Sequence, residues 1–386
     1  MTEDNSLGKI NRSLKKNDIQ STLSDCIDEG YFTLGLFLAK VTKNDKMYKD
    51  LVDKPCKVNT VSERCKEEYK EDKPYKVNTV SETDLSVLKE KAMKIKEKEN
   101  KVKTVKLLCN WCSSKDLCTF WNKMSKGDYT WGNIKIVSTE KADYYVIINA
   151  VSTVGDTYYD PKKTIVFQME PNMALDRRWN VWSKPSPKDF LRVLLHENGD
   201  YNNIEWHLSK SYSELKSMKI TKTQLISTVL SEKYIDSGHV QRVDFVKFLE
   251  DKGFDIHVYG SNRWNYKNYM GELPYGCKDL GIFPYKYTFN VENQSLLNYF
   301  TEKLVDGILG ECLVFYSGCY NVREYIDEKA YVYLEMSNFE KALETIQTAI
   351  KEDWHSQRLP YIRQAKEKIL DELQFFPRLD KLVENL

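Results

Sequence analysis

Tyr144-Tyr-Val-Ile-Ile148 and Thr164-Ile-Val-Phe-Gln168 are short, almost unbroken apolar runs, rich in β-branched and aromatic residues. A strand exposed on one face alternates apolar and polar residues. A run without alternation belongs to a strand covered on both faces, which is the environment of a parallel sheet between helices. Val105-Lys-Leu-Leu-Cys109 and the stretch around Ile134-Lys-Ile-Val137 read as further strands beside them. Longer helical and loop segments separate these runs, so the spacing predicts a doubly wound α/β sheet.

Further along the chain the pattern repeats with greater regularity. Residues 224–230 read as a strand and 238–252 as an amphipathic helix with Val240, Val243, Phe245, Val246 and Leu249 as its apolar positions. Strands are expected at Ile256-His-Val-Tyr259, Tyr287-Thr-Phe-Asn-Val291, Cys312-Leu-Val-Phe-Tyr316 and 330–334. Helices are expected at 301–309, 339–351 and 360–373. Two such units facing one another across a cleft define the GT-B architecture. In open α/β sheets ligands bind outside the carboxyl ends of the strands. The expected organisation is a helical extension over 1–103, one Rossmann-like domain over 104–215, a second over 216–350, and closing helices over 351–386.

The 386 residues suit two domains with an extension. Hydrophobic residues, 41% of the chain, are enough for real cores, and a net charge of +1 provides no global basic field for nucleic acid. No run approaches the ~18 apolar residues of a membrane span, and the polar N-terminus lacks the apolar core of a signal peptide. A cytoplasmic protein is the expectation. The nine cysteines are odd in number and scattered. Cys109 and Cys112 form a lone CxxC with Cys118 nearby, and no second pair follows at zinc spacing, so core or surface thiols are expected rather than a metal site.

The first hundred residues have a different texture. Residues 17–42 look helical. Asp53-Lys-Pro-Cys-Lys-Val-Asn-Thr-Val-Ser-Glu63 recurs as Asp72-Lys-Pro-Tyr-Lys-Val-Asn-Thr-Val-Ser-Glu82, ten of eleven positions identical at an offset of 19. Two copies are too few for a solenoid. Leu85, Leu88, Ala92, Ile95 and Val102 then trace an interrupted heptad seam, which can pair two protomers into a homodimer or lie on the first domain.

The densest polar cluster is Glu292-Asn293 with Tyr299-Phe-Thr-Glu302-Lys303, between a strand end and a helix start. Backbone N–H groups at a helix start receive phosphate oxygens. Lys303 adds positive charge, Glu302 can accept from sugar or ribose hydroxyls, and Tyr299 can donate to phosphate or stack on a ring. Ordinary capping, with Thr301 as N-cap, accounts for part of the same pattern.

Tyr285-Lys-Tyr-Thr-Phe-Asn-Val-Glu-Asn293 followed by Tyr299-Phe-Thr-Glu-Lys-Leu304 resembles the donor-binding signature of glycosyltransferase family 10, the α1,3-fucosyltransferases. Upstream, Val229-Leu-Ser231, Gly238-His-Val-Gln-Arg242 and Val258-Tyr-Gly260 resemble the family's strand–Arg–helix–strand unit. Arg242 matches the arginine that holds the donor diphosphate. Glu232 stands where the family usually has asparagine, which also bears on Ser231. Thr164-Ile-Val-Phe-Gln-Met-Glu170-Pro-Asn172 resembles the strand and loop that carry the family's catalytic base. A carboxylate capping residues 173–178 is the alternative for Glu170. The resemblance spans about 104–350 and leaves out the first hundred residues.

The resemblance implies inverting transfer of fucose from GDP-fucose to a hydroxyl of a glycan or glycoprotein acceptor, in an α1,3-type linkage. It implies Glu170 as base, Arg242, Tyr299, Glu302, Lys303, Asn293, Glu292 and Ser231 as donor-binding residues, and no required metal or other cofactor. No Asp-x-Asp pair occurs in the chain, which argues against the metal-dependent GT-A class. The chain looks most like the soluble bacterial or viral-type members, the latter in a host-cell cytoplasm. The competing readings are the same fold with another GDP-sugar, and a non-catalytic interaction protein. Residues 330–350 faintly resemble one tetratricopeptide helix. His239 beside Arg242, and Trp179, Trp182 and Trp264, are secondary candidates better read as structural.

Overall fold

The computed structural model describes residues 102–151, 157–170, 185–201 and 205–386. The duplication, the heptad seam with its homodimer, Trp179 and Trp182 lie outside the described residues.

The first sheet is built from β1 (Lys103–Cys109), β2 (Thr130–Trp131), β3 (Ile134–Val137), β4 (Tyr144–Ile148), β5 (Thr164–Phe167) and β6 (Arg192–Leu194), with helix α1 (Ser114–Trp121) after β1. Its order is β2-β3-β1-β4-β5-β6, with every pairing parallel except β2–β3. That exception is a tight hairpin turned over Gly132-Asn133, with Gly132 at a φ of +51°. All four residues of β5 and the last four of β4 are buried, as the unbroken apolar runs require.

Helix α2 (Tyr212–Ser217) leads to the second sheet: β7 (Gln224–Leu230), α3 (Ser237–Asp251), β8 (His257–Gly260), β9 (Tyr269–Gly271), α4 (Asp279–Ile282), β10 (Tyr285–Val291), α5 (Glu302–Leu309), β11 (Leu313–Ser317) and β12 (Tyr331–Tyr333). Its order is β12-β11-β10-β7-β8-β9, all parallel. Counted by parallel strands, the first sheet has the 2-1-3-4-5 order and the second the 3-2-1-4-5-6 order. These are the two doubly wound topologies, and each has a switch point where the strand order reverses. The switch points lie between β1 and β4 and between β7 and β10.

Three helices close the chain: α6 (Phe339–Lys351), α7 (Trp354–Lys368) and α8 (Phe375–Glu384), with a π-helical turn Ile369–Leu373 before the last. Helix α7 lies on the second sheet's side, where Lys366 and Arg363 each hold the Glu311 carboxylate at 3.0 Å. Helix α8 returns to the first sheet. Phe375 packs on Trp121 with ring centroids 4.5 Å apart, and Asp380 accepts from the Asn133 backbone N–H at 2.9 Å. The sequence pattern places a helix over 360–373. The helix instead begins at Trp354, after Asp353 in the left-handed region (φ +50°), and carries Pro360 in its interior.

Among the described residues no helix is long and apolar enough to cross a membrane. Cys109 and Cys112 Sγ atoms lie 3.5 Å apart and Cys118 donates to the Val137 carbonyl. No group of three or more histidine, cysteine or acidic side chains is placed to hold a metal among the described residues.

The start of α3 touches the end of β10. Gly238 N–H donates to the Asn293 carbonyl at 3.1 Å, and a Cβ at 238 would overlap the Glu292 carbonyl oxygen. Only a residue without a side chain allows this approach. Gly238→Ala is therefore expected to cost about 1–3 kcal/mol, the usual range for forced overpacking. Urea unfolding should show a lower midpoint at unchanged slope.

Candidate active site

Loops from both switch points meet at one cleft of about 450 Å³. The second sheet contributes Ser231 after β7, Arg242 from α3, Asn293 after β10, then Tyr299, Thr301, Glu302 and Lys303 at the start of α5. The first sheet contributes Trp111 after β1, Asn149 after β4 and Glu170 after β5. Seven of the eight expected site residues line this cleft. Glu292 is the eighth; it is 1% exposed and lies behind the wall.

Arg242 is buried and anchored. Its Nη1 donates to the Val291 carbonyl (3.1 Å) and Asn293 Oδ1 (3.2 Å), and its Nη2 to Ser231 Oγ (3.4 Å). These bonds aim the guanidinium across the β7–β10 switch point. Its buried Nε has no hydrogen-bond partner among the described residues. Burial pulls its pKa down, while Glu292 and Glu302 oppose that shift. Arg242 reaches Ser231 even though Glu232 departs from the family pattern beside it.

At the start of α5, Thr301 is the N-cap, its Oγ1 accepting from the Lys303 N–H at 3.3 Å. The capping reading thus holds for Thr301, while Thr301, Glu302 and Lys303 all line the cleft. Glu292 braces this end: its two carboxylate oxygens accept from the Thr301 N–H and hydroxyl, both at 2.8 Å. Lys303 Nζ lies 3.1 Å from Glu302 and 3.6 Å from Glu292. Burial would lower the lysine's pKa, but the two glutamates overcome it and hold it raised. For Glu302, burial works against ionisation, yet Lys303 and then Lys278 hold its carboxyl well below the ordinary value. Glu292 is pushed up by burial despite Lys303. Tyr299 is 1% exposed and its phenol is raised far above its ordinary value by burial and then by Glu170, Glu292 and Glu302, so it stays a neutral O–H.

Glu170 faces this cationic wall from the other sheet. Burial raises its pKa, and Lys303 is the largest opposing influence. Its turn is held by a residue the sequence pattern did not single out. Asn149, at a φ of +60°, accepts on Oδ1 from both the Met169 N–H (2.7 Å) and the Glu170 N–H (2.9 Å). Asparagine is among the few residues at ease in that backbone region. A second tie is His196. One ring nitrogen lies 3.2 Å from the Met169 carbonyl and the other 3.0 Å from the Asn298 carbonyl, joining the Glu170 turn to the loop before Tyr299.

His239 lines the cleft, but its Nδ1 accepts the Asp236 N–H (3.2 Å) in a capping box at the start of α3. That bond occupies the nitrogen's lone pair, so the Asp236 carboxylate 3.1 Å away is not an ion-pair partner. Burial, and then Arg242, Lys233 and Lys303, push the imidazole down to about 3. The ring is neutral with its proton on Nε2. Trp264 does not line the cleft; it packs against Tyr234 at 5.1 Å. At the far end Lys278 pairs with Asp306 (3.0 Å) and Glu302 (3.7 Å). There His207 sits 3.4 Å from Glu205, which overcomes burial and raises its pKa.

Two Rossmann-type sheets whose strand ends meet over a cleft, one side cationic and the other offering a carboxylate, make this a glycosyltransferase of the GT-B architecture. Residues 219–357, the second sheet and the helices on it, match the family described as glycosyltransferase family 10 (fucosyltransferase) C-term. The likeness to glycosyltransferase family 10 is carried by this domain. No curated protein matches the sequence significantly. Similar solved structures include an alpha1,3-fucosyltransferase, 15% identical, covering 71% of this chain and 92% of that one at a TM-score of 0.44. The alpha1,3-fucosyltransferase with GDP-fucose is 14% identical over the same shares, TM-score 0.42. An alpha-glucosyltransferase in complex with UDP and a mismatched 13-mer DNA is 10% identical over 74% and 99%, TM-score 0.46.

Replacing Arg242 by lysine removes the fork that spans Val291, Asn293 and Ser231. Urea unfolding should show a lower midpoint, with a loss of about 1–3 kcal/mol, the scale of one or two charge-assisted hydrogen bonds.

Proposed function

We propose that the chain transfers fucose from GDP-fucose, with inversion and in an α1,3-type linkage, to a hydroxyl of a glycan or glycoprotein acceptor. The observation that carries this reading is the placement of the Glu170 carboxyl on one sheet opposite the Arg242–Lys303 anion site on the other. A single displacement needs one base and one stabilised leaving group, on opposite sides of the reacting carbon.

The chemistry follows from that arrangement. Glu170 takes the proton of the acceptor hydroxyl as its oxygen attacks the anomeric carbon. The bond from that carbon to the β-phosphate oxygen breaks, and GDP leaves with the electron pair. Arg242, Lys303 and the positive end of the α5 dipole receive the charge that develops on the diphosphate. Tyr299, a neutral phenol, donates into the same region. Glu302 stays ionised and can accept from hydroxyls of the sugar or ribose. Three cationic or dipolar contributions balance the leaving diphosphate, so the scheme requires no metal. A base must be ionised to act, and burial raises the Glu170 pKa. Once ionised, a carboxylate with a raised pKa is a better proton acceptor than an ordinary one.

GDP release with GDP-fucose, GDP-mannose and UDP-galactose, each with N-acetyllactosamine- and xylose-type acceptors, tests the assignment. Acceptor-dependent turnover with GDP-fucose alone is expected, and Glu170→Gln should lower kcat by about 10²–10⁴-fold while GDP still binds. Turnover with another donor only would keep the fold and sink the fucose assignment. An unimpaired Glu170→Gln variant would remove the base. The pH profile offers an independent check. Because the folded pKa of Glu170 is raised, the acidic limb of kcat should fall off above the ordinary carboxylate range, with activity lost as pH drops through it. Asn149→Ala frees the turn that carries Glu170. It should cost kcat up to about 10²-fold, as a misplaced catalytic group does, with GDP affinity little changed.

A further inference from the structure

The cleft has a second end that the diphosphate chemistry leaves unused. Three large aromatic side chains stand exposed there: Trp111 at 43%, Phe120 at 48% and Tyr275 at 71%. They form one group. The Phe120 and Tyr275 rings meet edge to face at 6.1 Å, and Tyr275 lies 5.5 Å from the His207 ring. Trp111, Phe120, Tyr275, Glu205 and His207 together line a small cavity of about 20 Å³ beneath them, room for about one water or hydroxyl. Glu205 forms its polar floor, one oxygen accepting from Trp121 Nε1 at 2.9 Å and the other facing His207 at 3.4 Å.

We infer that this end is the acceptor subsite, and that it takes the apolar face of a neutral pyranose ring on Trp111 and Tyr275, with a ring hydroxyl directed to Glu205. The inference rests on the transferase reading above and names its acceptor chemistry. Exposed aromatic rings offer area for the C–H face of a sugar at little conformational cost. Charge separates the two ends of the cleft. At the diphosphate end Arg242 keeps an unpartnered Nε. At the aromatic end both signs of charge face one another: Glu205 lies 3.4 Å from His207, Lys278 lies 3.0 Å from Asp306 and 3.7 Å from Glu302, and Lys123 donates to the Leu208 carbonyl. That end is mixed in charge rather than a cationic wall.

Position ties this end to Glu170 rather than to the anion site. Trp111 follows β1, Asn149 follows β4 and Glu170 follows β5, and these three strands are consecutive in the first sheet. Neighbouring strands are about 4.8 Å apart, so the β1 and β5 ends lie roughly 10 Å from one another. An oligosaccharide resting on Trp111 can present its next unit to the base.

The test uses the full chain. GDP binding is first measured by calorimetry. With GDP saturating, the chain is then applied to an array of neutral, sialylated and sulfated oligosaccharides. Wild type, Trp111→Ala, Tyr275→Ala and the conservative Trp111→Phe are compared. Neutral glycans should bind, each alanine variant should weaken that binding about tenfold or more, and Trp111→Phe should restore much of it. GDP affinity should persist in all of them. If the alanine variants lose GDP affinity instead, the rings hold the nucleobase and the inference falls. It also falls if only anionic glycans bind, if no glycan binds while GDP does, or if glycan binding ignores both rings. Failure of wild type to bind GDP would overturn the transferase reading itself.

Discussion

The buried carboxylate of Glu292 organises the donor side. It is the last polar group of a strand core, yet it spends both oxygens on the Thr301 N–H and hydroxyl and sits beside the Lys303 ammonium. An ionisable group this deep is costly unless it is bonded and paired. Its partners are the cap of α5 and the cation that faces the cleft, so the cost of burial is offset by fixing the N-terminus of one helix relative to the end of β10. The helix dipole and the ammonium then both face the cleft. Arg242 completes the arrangement from α3, and Gly238 allows α3 to approach closely enough for its guanidinium to reach across.

The same logic runs on the opposite sheet with neutral groups. Asn149 gathers two backbone N–H groups of the Glu170 turn, and His196 bridges that turn to the loop of Tyr299. The cleft therefore has two rigid walls of different character. One is cationic and set by buried charge, and the other holds a carboxyl whose proton affinity is raised by burial. A reaction that delivers a proton to one wall and negative charge to the other is matched to that division.

Much of this could be read from the sequence because the deciding residues sit next to one another in it. The Glu292–Asn293 and Thr301–Lys303 groups flank a strand end and a helix start, and apolar runs mark β4, β5 and β11. What stayed hidden depends on pairing between distant segments. Asn149 is 21 residues from the Glu170 it holds, and nothing local distinguishes it from any asparagine after a strand. Glu205, His207 and Tyr275 come together only when the sheets face each other. Strands β6 and β9 have three residues each, too few to show a period. The β2–β3 hairpin had a local signal in Gly132-Asn133, a turn pair between apolar residues. Pro360 suggested a helix start because proline favours the first turn. In the fold the helix begins earlier and runs through it.

The chain passes between the two sheets twice, once through the segment that holds α2 and again through the π-helical turn between α7 and α8. These passages are fastened to each other. Tyr212 donates its hydroxyl to Asp371 at 2.7 Å, and Lys216 binds Asp371 at 2.7 Å and Glu367 at 2.9 Å. Two covalent crossings pinned side by side tie the two sheets to each other at one place, so the contacts that fix the crossings to one another also limit how far the cleft walls can slide past each other.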